Sequence, residues 1–173
     1  MDRVKRRAAT FLFLAAGLAY VADRATKIWA EHTLPGRPLD VIPKVLTFRY
    51  TTNSGGAFSF GQSAPWIFAT ATIVVAVAIV ATAFRHDRAL TSASLGLVLG
   101  GALGNLTDRL VRGGELFSGR VVDFIDLHWW PVFNLADAAI VVGAIVLAIS
   151  SMPRSRPQEA GTKDAREIAG DEP

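Results

Sequence analysis

The 173-residue sequence contains no cysteine, which excludes a thiol nucleophile, disulfide bonds and thiolate metal sites. Histidine is also scarce. His32, His86 and His128 are scattered and form no H-x-x-x-H pair, so we expect no zinc site and no other metal or cofactor. Charge is missing from one long run, Ala64–Phe84. An uncharged apolar run of about 20 residues is typical of a membrane span rather than of a soluble domain.

Apolar residues make up 51% of the sequence and are concentrated in four blocks. A membrane span needs about 20 mostly apolar residues to cross roughly 30 Å of hydrocarbon. We therefore predict an all-α membrane fold: a bundle of four transmembrane helices with a small extracytoplasmic β element and a short outer loop or helix. The alternative, a soluble protein with four buried helices, is disfavoured by the uncharged second block. The blocks are about Ala8–Ala30, Ala64–Phe84, Ala89–Leu106 and Val132–Met152.

The first block also has features of a cleavable signal peptide, because the basic start RVKRR precedes an apolar stretch. However, Asp23 and Lys27 follow this stretch directly, and apolar residues continue to Ala30. The two charged residues are spaced i and i+4, so they can pair on one helix face. We therefore expect the first block to be retained as a span.

The net charge of +3 and a pI near 9.7 do not indicate a nucleic-acid partner, because basic residues in a membrane protein report topology. Lys and Arg are clustered in residues 3–7, 85–88 and 154–156. These flanks lie on one side of a four-span protein, so both termini are expected in the cytoplasm. Residues 1–152 are then the membrane domain, and residues 153–173 are a polar, disordered and dispensable cytoplasmic tail.

The two segments predicted to lie outside the membrane, residues 31–63 and 107–131, differ in composition from the spans. The first is rich in Val, Thr, Phe and Tyr and breaks at NSGG, which predicts a small sheet or hairpin with a turn. The second contains Trp129 and Trp130, a pair typical of an aromatic anchor at the membrane interface. Membrane lipid is therefore an expected partner of this side.

Three blocks carry polar residues near their predicted outer ends, and ionisable residues in spans usually face the bundle interior. Asp23 with Lys27 can form a structural ion pair, Asp108 with Arg109 can cap the third span, and Asn105 and Asn134 can join helices by hydrogen bonds. Asp123 and Asp137 lack such an explanation. From about Val132, five residues place Asp137 roughly 7.5 Å into a span. Two such carboxylates close together would share a proton, as in aspartic proteases, although the spacing alone leaves this open.

The motifs NSGGAFS, GGALGNLTDRL, VVDFIDL and FNLADAAI, with DRATK before them, occur here in an order that resembles the lipoprotein signal peptidases (signal peptidase II). The resemblance covers nearly all of the chain up to about residue 152. It implies an aspartyl endopeptidase of the bacterial cytoplasmic membrane that cleaves diacylglyceryl-modified prolipoproteins before the lipidated cysteine. The implied catalytic pair is Asp123 and Asp137, at the outer leaflet. The implied supporting positions are Asp23, Lys27, Asn53, Asn105, Asp108, Arg109 and Asn134.

The chain departs from the family pattern at Gly56, which precedes Ala57, and in a longer segment between Arg109 and Asp123. Three other functions are compatible with parts of the sequence. A small proton-coupled transporter or channel would also place charges in spans, but should distribute them across the membrane. A serine peptidase would need Ser54 or Ser59 to act with Lys27. A structural assembly factor without chemistry is the third alternative. We expect a monomer with prolipoproteins as its substrates.

Overall fold

The computed structural model describes residues 2–55, 65–113 and 117–152, and the predicted tail, Gly56, Ala57 and Ser59 lie outside these ranges. The described chain is mostly helical, with one small sheet. Its elements are α1 (Arg3–Thr33), β1 (Leu39–Ile42), β2 (Leu46–Asn53), α2 (Pro65–Thr82), α3 (Ala89–Val111), β3 (Val121–Asp126) and α4 (Leu135–Ser151).

Helix α3 lies at the centre of the bundle and packs against α1, α2 and α4. Its glycines allow the close approach, because a side chain on Gly100 would collide with the carbonyl of Ala16 on α1. A side chain on Gly101 would likewise collide with the carbonyl of Ala136 on α4. Small residues at helix interfaces are the usual means of tight association in a membrane, where apolar burial gives little driving force.

The helices present apolar surfaces to the outside. Leu18 on α1 is 72% exposed, and Val77 on α2 is 62% exposed. By length and composition, α1 and α3 are each able to cross a membrane. The other two apolar helices are shorter, and the 17 residues of α4 correspond to roughly 26 Å of helix. Apolar side chains in such numbers on the outer surface are typical of contact with lipid.

The β element is a three-stranded antiparallel sheet in the order β1-β2-β3. Strands β1 and β2 confirm the sheet expected in the first outward segment. The third strand was not expected from the sequence: VVDFID forms β3 and pairs with β2, with Thr51 opposite Asp123. Strand formation suits the β-branched and aromatic residues of this stretch. An aromatic cluster of Trp29, Phe48 and Phe124 packs α1 under the sheet, with ring centroids 5.7–6.1 Å apart.

Helix α4 begins at Leu135 rather than near Val132. Phe133 instead pairs with Ile125 at the edge of β3, through N–H···O bonds of 2.8 and 3.1 Å. Asn134 then caps the helix. The predicted depth of Asp137 is therefore wrong, since this residue lies in the first turn of α4 and not roughly 7.5 Å into a span.

Candidate active site

Asp123 and Asp137 line one cavity of about 830 Å³. Asp123 lies on β3 and is only 3% exposed, and Asp137 lies in the first turn of α4. The register of the sheet aims Asp123 inward beside Thr51 of β2. A strand and a helix that are consecutive in the sequence thus bring the two carboxylates into the same space.

Asn134 connects the two aspartates. Its side-chain amide donates to Asp123 Oδ1 at 2.7 Å, and its Oδ1 accepts the backbone N–H of Asp137 at 2.9 Å. The carboxylate of Asp137 in turn accepts the backbone N–H of Asn134 at 3.2 Å, which completes a capping box. Because Asn134 Oδ1 accepts the hydrogen bond at the start of α4, the Nδ2 of the same side chain donates to Asp123.

Asn105 on α3 orients the other carboxylate. Its Nδ2 donates to Asp137 Oδ1 at 2.8 Å, while its Oδ1 accepts from Lys27 Nζ at 2.8 Å. Asn134 also donates to this oxygen at 3.2 Å, so the interhelical hydrogen bond expected between the two asparagines is confirmed. Each aspartate therefore accepts a hydrogen bond from the side-chain amide of an asparagine. The oxygen of each amide is held by another group, which is the backbone N–H of Asp137 for Asn134 and Lys27 Nζ for Asn105.

The surroundings of Asp123 change its acidity. Burial, and after it the nearby negative charge of Asp137, raise the pKa of Asp123 to about 7. Hydrogen bonds from Asn134 and Asn53 and the positive charge of Lys27 act in the opposite direction and lower this pKa. A carboxyl group in this condition holds a proton near neutral pH, which is a property of acid–base catalysts.

Arg109 on α3 forms one wall of the cavity. Its guanidinium donates to the backbone carbonyls of Ser54 at 3.2 Å and Gly55 at 2.7 Å, and it lies 5.6 Å from the ring centre of Phe68 on α2. Asp108 and Arg109 point in different directions, because Arg109 binds the NSGG turn while Asp108 contacts α1. Arg109 thereby connects α3, the turn after β2 and α2.

A cluster of charged residues lies behind the aspartates. The predicted Asp23–Lys27 ion pair is confirmed at 2.9 Å, and Lys27 also contacts Asp108 at 2.9 Å. Sequence reasoning missed three members of this cluster: Arg24, Arg112 and Glu31. One of them could have been found from helical spacing, because Arg112 follows Asp108 by four residues, whereas Glu31 binds Arg112 from another helix.

The cavity reaches the apolar outer surface between α2 and α4. Val75 of α2 and Val141 of α4 line it and are 44% and 55% exposed. Thr72, Val98 and Ile140 line the cavity between these residues and the polar groups. The site therefore combines a polar end, which holds two carboxylates, with an apolar opening to the side of the bundle.

The geometry does not favour a serine–lysine mechanism at this site. Lys27 Nζ is fully buried and is engaged by Asp23, Asp108 and Asn105, so it is not free to contact a serine hydroxyl.

A family model described as signal peptidase (SPase) II matches residues 15–153. The lipoprotein signal peptidase of Rhodococcus jostii (strain RHA1) is 43% identical over 146 residues, which cover 82% of this chain and 72% of the relative. That of Mycobacterium avium (strain 104) is 39% identical over 156 residues, which cover 87% and 83%.

Two solved structures, each described as a bacterial membrane enzyme, have similar folds. The first has a TM-score of 0.73 and 27% identity and covers 84% of this chain and 93% of its own. The second has a TM-score of 0.69 and 29% identity and covers 80% and 90%. The described fold, the motifs in their order and these relatives agree: the chain belongs to the signal peptidase II family of membrane peptidases.

Proposed function

We propose that this chain is a membrane aspartyl endopeptidase that removes signal peptides from diacylglyceryl-modified bacterial prolipoproteins by cutting before the lipidated cysteine. Membership of the signal peptidase II family and the relatives' name, lipoprotein signal peptidase, support the substrate class. The observation that carries the aspartyl mechanism is the joint placement of Asp123 and Asp137 in one cavity, joined by Asn134.

In the proposed mechanism Asp123 holds the proton of the pair and Asp137 is ionised. The raised pKa of Asp123 supports this assignment. Asp137 takes a proton from a water molecule, which attacks the carbonyl carbon of the scissile bond. Asp123 donates a hydrogen bond to the carbonyl oxygen as negative charge develops there. Collapse of the tetrahedral intermediate breaks the C–N bond, and the departing amine takes a proton from the pair. No covalent enzyme intermediate is formed.

The apolar opening between α2 and α4 suits a substrate that stays in the membrane. A signal peptide and a diacylglyceryl group can then remain in lipid while the scissile bond reaches the carboxylates. We further propose a monomeric, multi-pass protein of the bacterial cytoplasmic membrane, with four spans, a site at the outer leaflet and both termini in the cytoplasm. The proposed orientation rests on the basic residues in segments 3–7, 85–88 and 154–156, which are expected on the cytoplasmic side. A reporter fused after Pro153 that is active only outside the cytoplasm would contradict it.

The test is cleavage of a diacylglyceryl-modified precursor peptide by purified Asp123→Asn and Asp137→Asn variants. Asparagine has nearly the same shape as aspartate but cannot act as a base or carry the acidic proton. Each variant should therefore fold normally and lose about 10²–10⁴-fold in turnover. The double variant should be little worse than either single variant, because the two residues act as a unit.

Asp126→Asn is the matched control. Asp126 lies on the same strand, but its side chain binds Arg49 and the backbone of His128 rather than the cavity. Its variant should retain wild-type turnover. Substantial turnover by well-folded Asp137→Asn would show that the aspartyl mechanism is wrong for this chain.

A further inference from the structure

Lys27 is fully buried, and three oxygen acceptors converge on its ammonium group. Its Nζ lies 2.9 Å from Asp23 Oδ2, 2.9 Å from Asp108 Oδ2 and 2.8 Å from Asn105 Oδ1. Two of these contacts are ion pairs, and the contact with Asn105 is a hydrogen bond. Asp23 and Asp108 are also fully buried, and without the cation between them their like charges would repel each other.

Each of these carboxylates also holds the backbone next to one active-site aspartate. Asp23 Oδ1 accepts the N–H of Ala136 at 3.0 Å, and Asp108 Oδ2 accepts the N–H of Val122 at 3.3 Å. Ala136 directly precedes Asp137, and Val122 directly precedes Asp123. The same ammonium thus reaches α4 through one carboxylate and β3 through the other.

The third contact of Lys27 leads to a side chain of the pair itself. By binding Asn105 Oδ1, the ammonium turns the Asn105 nitrogen toward Asp137 Oδ1. β3 is joined to the start of α4 by the Phe133–Ile125 hydrogen bonds and by Asn134. The cluster around Lys27 adds a second connection between the two elements, made from α1 and α3.

We infer that Lys27 is a positioning residue, which sets the spacing of Asp123 and Asp137 through two carboxylate arms, Asp23 to Ala136 and Asp108 to Val122. This inference rests on the proposed function, because it assigns the two aspartates the chemical step. Displacing one arm then lowers kcat, while substrate binding along the apolar opening changes little.

Gly104→Ala displaces one arm without altering any charge. The added methyl group would collide with Asp23 Oδ2 and lie 3.0 Å from Asp23 Cγ, so the carboxylate has to shift from its place. Gly17→Ala is the matched control, since a methyl group there meets nothing within 4 Å on the same kind of apolar helix.

The experiment measures kcat and KM of both variants on the diacylglyceryl-modified peptide, with thermal unfolding as the measure of folding. Gly104→Ala should lower kcat by about tenfold to a hundredfold, as small misplacements of reacting groups do, with a much smaller change in KM. Gly17→Ala should match the wild type. A purely structural role would lower the unfolding midpoint of Gly104→Ala but leave kcat per folded molecule unchanged, and that result would overturn the inference.

Lys27→Met provides a second measurement. If Lys27 connects both arms, adding Gly104→Ala to a folded Lys27→Met protein should lower kcat by less than about threefold, because the arm has already lost its anchor. If Gly104→Ala lowered kcat as much in Lys27→Met as in the wild type, Lys27 would not connect the two arms. Failure of the proposed function is recognised separately, since Asp137→Asn would then retain turnover whatever Gly104→Ala does.

Discussion

At the scale of single residues, Asn134 has two tasks that can be separated. Its oxygen caps α4, and its nitrogen donates to Asp123. The second contact stabilises the ionised form of Asp123 and so lowers its pKa, against the larger effect of burial. Serine is also a good helix cap but is too short to replace the amide at Asp123.

We therefore predict that Asn134→Ser shifts the pH dependence of kcat/KM. With a pKa of about 7, Asp123 loses its proton as the pH rises through neutrality, and activity should fall there because the pair has lost its acid. Without the Asn134 amide the pKa of Asp123 rises further, so the falling limb should move to higher pH. A pH–rate profile measures this limb, which belongs to the pair as a whole. A limb that stays in place or moves to lower pH would contradict the assignment of the proton to Asp123.

Contacts between side chains could be predicted from the sequence where both residues lie on one helix. The Asp23–Lys27 pair followed from i and i+4 positions. The partners of Asp108 did not, because Lys27 reaches Asp108 from another helix and Val122 reaches it from a strand. Contacts between elements depend on how the elements pack, and periodicity along one segment does not contain that information.

At the scale of elements, the loop that follows β3 is held to the sheet by a chain of hydrogen bonds. Thr47 donates to Asp40 Oδ1 at 2.7 Å, and the His128 ring nitrogen lies 3.0 Å from the same hydroxyl. Since the hydroxyl proton goes to Asp40, His128 Nε2 is the donor in this contact. The exposed rings of Trp129 and Trp130 follow directly and contact each other edge to face at 5.9 Å.

We predict that Thr47→Val lowers stability, because it removes both hydrogen bonds and keeps the shape of the side chain. The loss should be about 1–2 kcal/mol, seen as a midpoint of thermal unfolding lowered by roughly 2–8 °C. Thr10→Val on the exposed surface of α1 is the control and should change stability by less than about 0.5 kcal/mol. An equal effect of the two substitutions would show that the chain through Thr47 does not anchor the loop.

Helices were easier to predict than the elements around the site. Apolar composition placed all four, yet α4 was expected about three residues too early, because Val132 and Phe133 are as apolar as the helix that follows. Phe133 pairs with β3 instead, and Asn134 provides the cap. β3 was missed because two carboxylates interrupt its apolar residues, although its β-branched content favours a strand.

At the scale of the whole molecule, the described residues that line the site all precede the end of α4. We predict that removal of residues 158–173 leaves peptide cleavage nearly unchanged, because this segment is polar and of mixed charge and is expected on the opposite side of the membrane. Turnover of the truncated and the full-length protein at equal amounts measures this. A loss of more than about tenfold, equivalent to roughly 1.4 kcal/mol of barrier, would contradict it.

The opening between α2 and α4, beside Val75 and Val141, has a consequence for how the enzyme meets its substrate. A substrate that arrives sideways through lipid diffuses in two dimensions, so its surface density sets the encounter rate rather than its amount per volume of solution. Adding empty micelles at constant peptide and enzyme should then slow cleavage by dilution within the lipid phase. An inhibitor of this site would act in proportion to how strongly it partitions into the bilayer.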